Sequence, residues 1–104
     1  MMGALRFTST IARAMPHIEF TSQLAQHVEC PPGQDIDADT LREALDNLFE
    51  QYPRLRDYVL DDGGAIRQHI AVFIDGEMLR QRESLDVPLG DRSEVFVMQA
   101  LSGG

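Results

Sequence analysis

Apolar and polar residues alternate in a short run that begins at His17. From His17 to Thr21 the alternation places Ile18 and Phe20 on one side, which predicts a half-buried strand. A second short strand is predicted over Val28–Cys30, where Pro31-Pro32-Gly33 stops it. Because only a short loop separates them, the two strands are predicted to form a hairpin.

A helical pattern follows an acidic loop. Thr40 and Glu43 have the spacing of a capping box, in which the threonine hydroxyl accepts a backbone N–H and the glutamate reaches back; Asp39 is an alternative cap. Pro53 is predicted to end the helix. Apolar residues recur at helical spacing and form one stripe: Leu41, Ala44, Leu45, Leu48, Phe49 and Tyr52.

The second half of the chain predicts three strands. Before them, Leu55–Leu60 is predicted to pack as an irregular or single-turn segment, and Asp61–Gly64 to form a turn. Asp75-Gly76 is a two-residue hairpin signal that joins the first two of these strands. The predicted strands are Ile66–Ile74, Glu77–Leu79 and Val95–Ala100.

These elements predict an α+β fold. A helix with a single apolar stripe must bury that stripe against a sheet. One main helix packed on one face of a mixed sheet of four to five strands is the β-grasp, or ubiquitin-like, arrangement. The 104 residues fit one domain. We predict a flexible extension over residues 1–14, the domain over 15–100 and a flexible Gly-Gly tail over 101–104.

Charge and cysteine content narrow the function. The chain carries 17 acidic and 9 basic residues, a formal net charge of −8. This charge argues against nucleic acid and anionic membranes as partners and favours a basic partner surface, although it also serves solubility. A single cysteine, Cys30, excludes an intramolecular disulfide and suits a reducing, cytoplasmic location. No apolar run reaches the ~20 residues of a membrane helix.

No constellation of catalytic residues is visible in the sequence. His17, His27 and His69 have no metal-binding spacing with one another or with Cys30, so we expect no metal site and no cofactor bound by the chain. Cys30 has no adjacent base and is interpreted as a small buried strand residue.

The C-terminus is the strongest functional feature. The predicted last strand is followed by Leu101-Ser102-Gly103-Gly104. Glycines without side chains can pass through a channel too narrow for a Cβ, and four extended residues reach roughly 13 Å. The alternative is an incidental frayed tail.

Strand parity predicts a partner surface. If Ile70, Val72, Ile74, Val95 and Val97 face the helix, then Phe73, Phe96 and Met98 face outward. Exposed aromatic and methionine side chains in a patch mark a partner site, to which Leu101 at the base of the tail is added. The alternative is that the N-terminal extension covers this face.

Several segments resemble the MoaD/ThiS family of ubiquitin-like sulfur carriers, and the MoaD-like members in particular. The similar segments are Thr40–Leu45, Tyr52–Leu55, His69–Glu77, Gly90–Val97 and the closing Gly103-Gly104. The resemblance covers about residues 15–104. The chain departs from it in the N-terminal extension and at Gln99-Ala100, where many relatives have prolines.

The resemblance implies a carrier rather than an enzyme. A ubiquitin-activating-type adenylyltransferase would use ATP to adenylate Gly104, and a sulfur donor would convert it to a thiocarboxylate. The carrier, as co-substrate or small subunit, would deliver sulfur to a partner synthase making molybdopterin, thiamin, cysteine or a related product. A ubiquitin-like modifier joined to lysines through Gly104, and a plain interaction domain with an incidental tail, remain alternatives.

Overall fold

A computed structural model describes residues 14–99 as a five-stranded sheet with helices packed on one face. The strands are β1 (His17–Phe20), β2 (Gly33–Asp35), β3 (Ile70–Ile74), β4 (Glu77–Met78) and β5 (Glu94–Gln99). The helices are α1 (Ser22–Val28), α2 (Leu41–Gln51) and α3 (Pro53–Val59). The predicted extension up to residue 13 and the predicted tail lie outside the described residues, as does Ala100.

The strand order is β2-β1-β5-β3-β4. Strands β1 and β5 are parallel, with Ile18 opposite Val95, and the other three pairs of neighbouring strands are antiparallel. This mixed sheet confirms the predicted β-grasp fold. The expectation of one main helix needs a small correction, because two seven-residue helices accompany the eleven-residue α2 in the described part of the chain.

Helix α2 forms as its sequence predicts. The Thr40 hydroxyl accepts the N–H of Glu43 at 3.2 Å, and the Glu43 carboxylate accepts the N–H of Asp39 at 2.9 Å. The capping box therefore closes on Asp39 rather than on Thr40 itself. The apolar stripe packs into the core of the sheet, where the buried residues are Leu41, Ala44, Leu45, Leu48 and Phe49.

The predicted strand at Val28–Cys30 is wrong. Val28 ends helix α1, whose buried residues Leu24, Ala25 and Val28 have helical rather than alternating spacing. Glu29 then takes a left-handed conformation with φ of 58°, and the Cys30 N–H donates to the Ala25 carbonyl. The second strand, β2, comes after the prolines and pairs antiparallel with β1.

Two boundaries in the second half also differ from the prediction. Pro53 follows the end of α2 but also occupies the first turn of α3, where its missing N–H costs nothing. The predicted strand Ile66–Ile74 begins only at Ile70, because the Ile70 N–H closes a turn onto the Arg67 carbonyl. The Arg82 guanidinium also donates to the carbonyls of Arg67 and Ile70.

The hairpin between β3 and β4 is confirmed. Asp75 and Gly76 have φ values of 52° and 86°, which match the two left-handed positions of a type I′ turn. Ile74 pairs with Glu77 on either side of the turn. This tight connection brings Met78 beside Phe73 on the sheet.

Candidate functional site: the outer sheet face and the base of the tail

The sheet has one face free of helices within the described residues. Its apolar side chains alternate along β3 and β5 with residues buried beneath α2, as strand parity predicts. Phe96 and Met78 are 36% and 53% exposed, whereas Phe73 and Met98 are partly buried. We call this apolar set the outer face: Ala71, Phe73, Met78, Phe96 and Met98.

Register joins the outer face into one patch. Phe73 lies opposite Phe96, Ala71 opposite Met98, and Met78 opposite Phe73 on its other side. Directly opposed residues have Cβ atoms about 4.5–5.5 Å apart, so these side chains form a continuous surface. On the helix side, Ile70, Val72, Val95 and Val97 are buried and Ile74 packs partly buried against the core.

An acidic margin borders the outer face on strands β1 and β2 and at the first residue of β5. Glu19 lies opposite Phe96, and Glu94 lies opposite His17. His17 Nδ1 lies 2.9 Å from Asp35 Oδ1, and its Nε2 lies 3.3 Å from Glu19 Oε2. The hydrogen bond to Asp35 raises the pKa of His17 above its ordinary value; slight burial lowers that pKa, and Glu19 raises it further.

The last described residue of β5 is held by a side-chain contact. The Tyr58 hydroxyl, on α3, donates to Gln99 Oε1 at 2.9 Å. The rings of His27 and His69 both lie near the Tyr58 ring, with centroids 4.8 and 6.0 Å away. The sequence predicts only that Tyr58 packs, because no motif links it to Gln99, to His27 at 31 positions before it or to His69 at 11 positions after it. We call these four side chains the tail-base cluster.

The described part of the chain includes some of the site residues predicted from the sequence but not all of them. Phe73, Phe96 and Met98 lie together on the outer face. Leu101, Gly103 and Gly104 lie outside the described residues, and β5 leads toward them from Gln99.

The remaining candidates show no catalytic arrangement. Residues 14–99 contain no cluster of histidine, cysteine and carboxylate side chains suited to a metal ion. Cys30 is half-buried after α1 rather than within a strand, and burial raises the pKa of its thiol. Cys30 packs partly buried against the hydrophobic core. No helix in the described region is long and apolar enough to cross a membrane.

A five-stranded mixed sheet with helices on one face and an exposed apolar outer face has the architecture of small ubiquitin-like β-grasp proteins. The sequence model of the ThiS family matches residues 24–104. The chain belongs to the ThiS family. Its family and fold are those of carriers rather than catalysts. No curated protein sequence gives a match.

Solved structures share the fold across nearly their whole length. Small archaeal modifier protein 1 from Haloferax volcanii is 26% identical with a TM-score of 0.71, covering 88% of this chain and 100% of its own. The same protein from Methanosarcina acetivorans is 21% identical with a TM-score of 0.72, over 88% and 98%. A structure of the Amycolatopsis orientalis BexX/CysO complex matches with 16% identity and a TM-score of 0.72, over 86% and 99%.

Proposed function

We propose that this chain is a sulfur carrier whose C-terminal Gly104 is adenylated by a partner enzyme and converted to a thiocarboxylate. The observation that carries the proposal is the extent of the family match, which runs through the glycine pair to residue 104. The match thus includes the segment that would do the chemistry as well as the folded domain. The chain itself would bind neither ATP nor metal.

The chemistry proceeds in two displacements, the first at the α-phosphorus of ATP and the second at the acyl carbon of Gly104. A carboxylate oxygen attacks the α-phosphorus of ATP, and pyrophosphate leaves, giving an acyl adenylate. A sulfur nucleophile at the oxidation level of sulfide then attacks the acyl carbon, and AMP leaves with the bonding electron pair. The product is a thiocarboxylate, whose sulfur can attack an electrophile bound in an acceptor synthase. Both steps need an activating enzyme, because a carboxylate is unreactive at neutral pH.

The outer face is proposed as the docking surface for that enzyme. Phe96 and Met78 offer exposed apolar area beside the strand that leads into the tail. Glu19, Asp35 and Glu94 border this area with negative charge, which complements a basic rim on the partner. A partner that binds the outer face could also bind the tail, because Gly104 lies no more than about 17 Å from Gln99 even when residues 100–104 are fully extended. The BexX/CysO complex supports a partnered mode of action for this fold.

The test is ATP–pyrophosphate exchange with the cognate activating enzyme. Removing Gly104 shortens the chain by about 3.3 Å and withdraws the carboxylate from the α-phosphate. A misplacement of about 1 Å already costs on the order of a hundredfold in rate, so exchange should be lost. Gly103→Val should also abolish exchange, because its branched side chain obstructs a narrow slot. Ser102→Ala is the matched control, since it keeps both the length and the glycine pair.

These measurements distinguish a tail that is activated at Gly104 from a tail without a function. All three variants should melt at the parent's temperature, because none of the changed positions lies within the buried core. Exchange at the parent's rate without Gly104 would refute the proposal. Conversion to the thiocarboxylate is read as a mass gain of one sulfur replacing one oxygen.

A second candidate function is protein modification. The two archaeal structures of similar fold are named as modifier proteins. The same adenylated Gly104 would then be captured by a lysine amine instead of by sulfur. Intact-mass analysis after reaction distinguishes the two, because a modifier yields lysine adducts on target proteins and a carrier yields the thiocarboxylate.

A further inference from the structure

We propose that Tyr58 is a positioning residue for the C-terminal tail, acting through its hydrogen bond to Gln99. The inference rests on the proposed function of Gly104. It concerns the direction in which the chain leaves β5, whereas the outer face concerns where a partner docks.

Gln99 occupies the end of the described strand register. It pairs with Ile70, the first residue of β3, and this is the last pair between the two strands. Along β5 its side chain has the parity of Val95 and Val97, so it lies on the helix side of the sheet. The 2.9 Å bond from the Tyr58 hydroxyl is therefore a second tie, placed where the backbone ladder ends.

Several contacts restrict the Tyr58 side chain. Its ring is half-buried against the core and lies near the exposed rings of His27, tilted by 38°, and His69, which stands at 88° to it. Helix α3 is anchored by the buried Leu55 and Val59 on either side. A hydroxyl on a partly buried ring binds its acceptor with a smaller further loss of side-chain entropy than a hydroxyl on a fully exposed ring.

The tie matters because Gln99 is the last described residue before the tail. Without the tie, the end of β5 beyond its last backbone pair is less restricted, so the chain can leave the sheet in more directions. Fixing Gln99 on the helix side narrows the directions available to Gly104 before the partner binds. Pre-organisation of this kind raises the fraction of docked complexes in which the carboxylate meets ATP. It leaves the affinity of the outer face for the partner unchanged.

The test compares Tyr58→Phe with the parent in ATP–pyrophosphate exchange, with the carrier concentration varied. Phenylalanine keeps the ring between the two histidines and removes only the hydroxyl. Loss of one such hydrogen bond should lower kcat by about twofold to tenfold with KM unchanged. Tyr52→Phe is the matched control. Tyr52 also packs half-buried against the core, and its hydroxyl makes no hydrogen bond within residues 14–99.

Gln99→Leu removes the acceptor and should reproduce the Tyr58→Phe effect. The double variant should be no slower than either single one, because both act through the same bond. Additive effects, an unchanged kcat, or a rise in KM alone would overturn the inference.

A second measurement does not depend on activation. Backbone 15N relaxation of Ala100 and Leu101 in the free protein should show larger-amplitude motion in Tyr58→Phe than in the parent or Tyr52→Phe. Identical relaxation in all three proteins would overturn the inference. If the parent shows no exchange, the proposed function fails, and the relaxation result alone decides the role of Tyr58.

Discussion

Phe73 and Phe96 lie directly opposite each other on the antiparallel strands β3 and β5, with both side chains on the face of the sheet that carries no described helix. Their neighbours in the same strands, Val72 and Val97, are buried beneath the helices. The same two strands thus supply a core on one side and an exposed apolar patch on the other. A substitution in the patch can therefore alter docking while leaving the core intact.

Phe96→Ala should raise the KM of the carrier with its activating enzyme and leave kcat nearly unchanged. An aromatic anchor at an interface centre is worth about 2 kcal/mol or more, so the rise should be on the order of thirtyfold. Glu50→Ala, on the exposed side of α2, is the control. If Phe96→Ala behaves like this control, the outer face is not the docking surface.

Three residues of the outer face, Phe73, Phe96 and Met98, could be predicted from the sequence because side chains alternate strictly along a strand. Once Val95 and Val97 are assigned to the core, Phe96 and Met98 must face the other way. The tail-base cluster could not be predicted in this way. It brings Tyr58, His27 and His69 together from α3, α1 and the turn before β3, and only the tertiary packing sets those distances.

Helix α1 and strand β2 could not be predicted from the local sequence pattern. Helix α1 has only seven residues and follows β1 after Thr21 alone, so its apolar positions are too few to separate helical from strand periodicity. Pro31 and Pro32 are predicted to end a strand, whereas β2 begins after them at Gly33. By contrast, α2 is long enough for both its cap and its stripe to be read from sequence.

Leu45→Ala should destabilise the domain by about 2–5 kcal/mol, because it removes packing from a side chain that is 1% exposed and leaves a cavity. Urea unfolding of the full chain gives the value. Asp46→Ala, at the exposed adjacent position of α2, should change the free energy of unfolding by no more than about 0.5 kcal/mol. Equal effects of the two substitutions would contradict the packing of α2 on the sheet.

Stability should depend on the protonation of His17. Its pKa is raised in the folded protein, chiefly by Asp35, so protonated His17 favours the folded state. This contribution is fully present below the unfolded pKa of about 6.5 and is lost as the pH rises through the folded pKa. Because the group is exposed, the contribution should be about 1 kcal/mol or less.

His17→Gln tests this pH dependence. The difference in free energy of unfolding between the parent and the variant should shrink as the pH is raised from about 6 to 8. Asp35→Asn should remove most of the same dependence, since Asp35 is the principal cause of the shift. A difference that stays constant over this range would show that the carboxylates do not act on His17.

Deleting residues 1–13 tests the alternative that the N-terminal extension covers the outer face. The deletion should stop there, because the Ala14 N–H donates to Asp39 and the Ala14 carbonyl accepts the Ala38 N–H. We expect the melting temperature to stay nearly unchanged, since the segment lacks sustained apolar periodicity. A drop of many degrees, or a fall in KM for the activating enzyme, would instead support a covering role.

The sequence contains no lysine, so the parent protein cannot be joined to a second copy of itself through a lysine side chain. All nine basic residues of the 104 are arginine, so the chain itself offers no ε-amino group. An activated Gly104 acyl group transfers to a lysine amine with loss of AMP, whereas an arginine guanidinium stays protonated and does not accept it. The parent should therefore form no isopeptide-linked chains of itself under either function.

Arg92→Lys then makes the two functions distinguishable. Arg92 is exposed in the loop before β5, so a lysine there is accessible to a second activated copy. With the activating enzyme and ATP but no sulfur donor, a modifier should join this variant to itself, and tryptic mass spectrometry should find Gly104 on Lys at position 92. A sulfur carrier should leave the variant as unconjugated as the parent, because its activated tail is held for a sulfur nucleophile. Self-conjugation of the variant alone would favour the modifier and count against the function proposed for this chain.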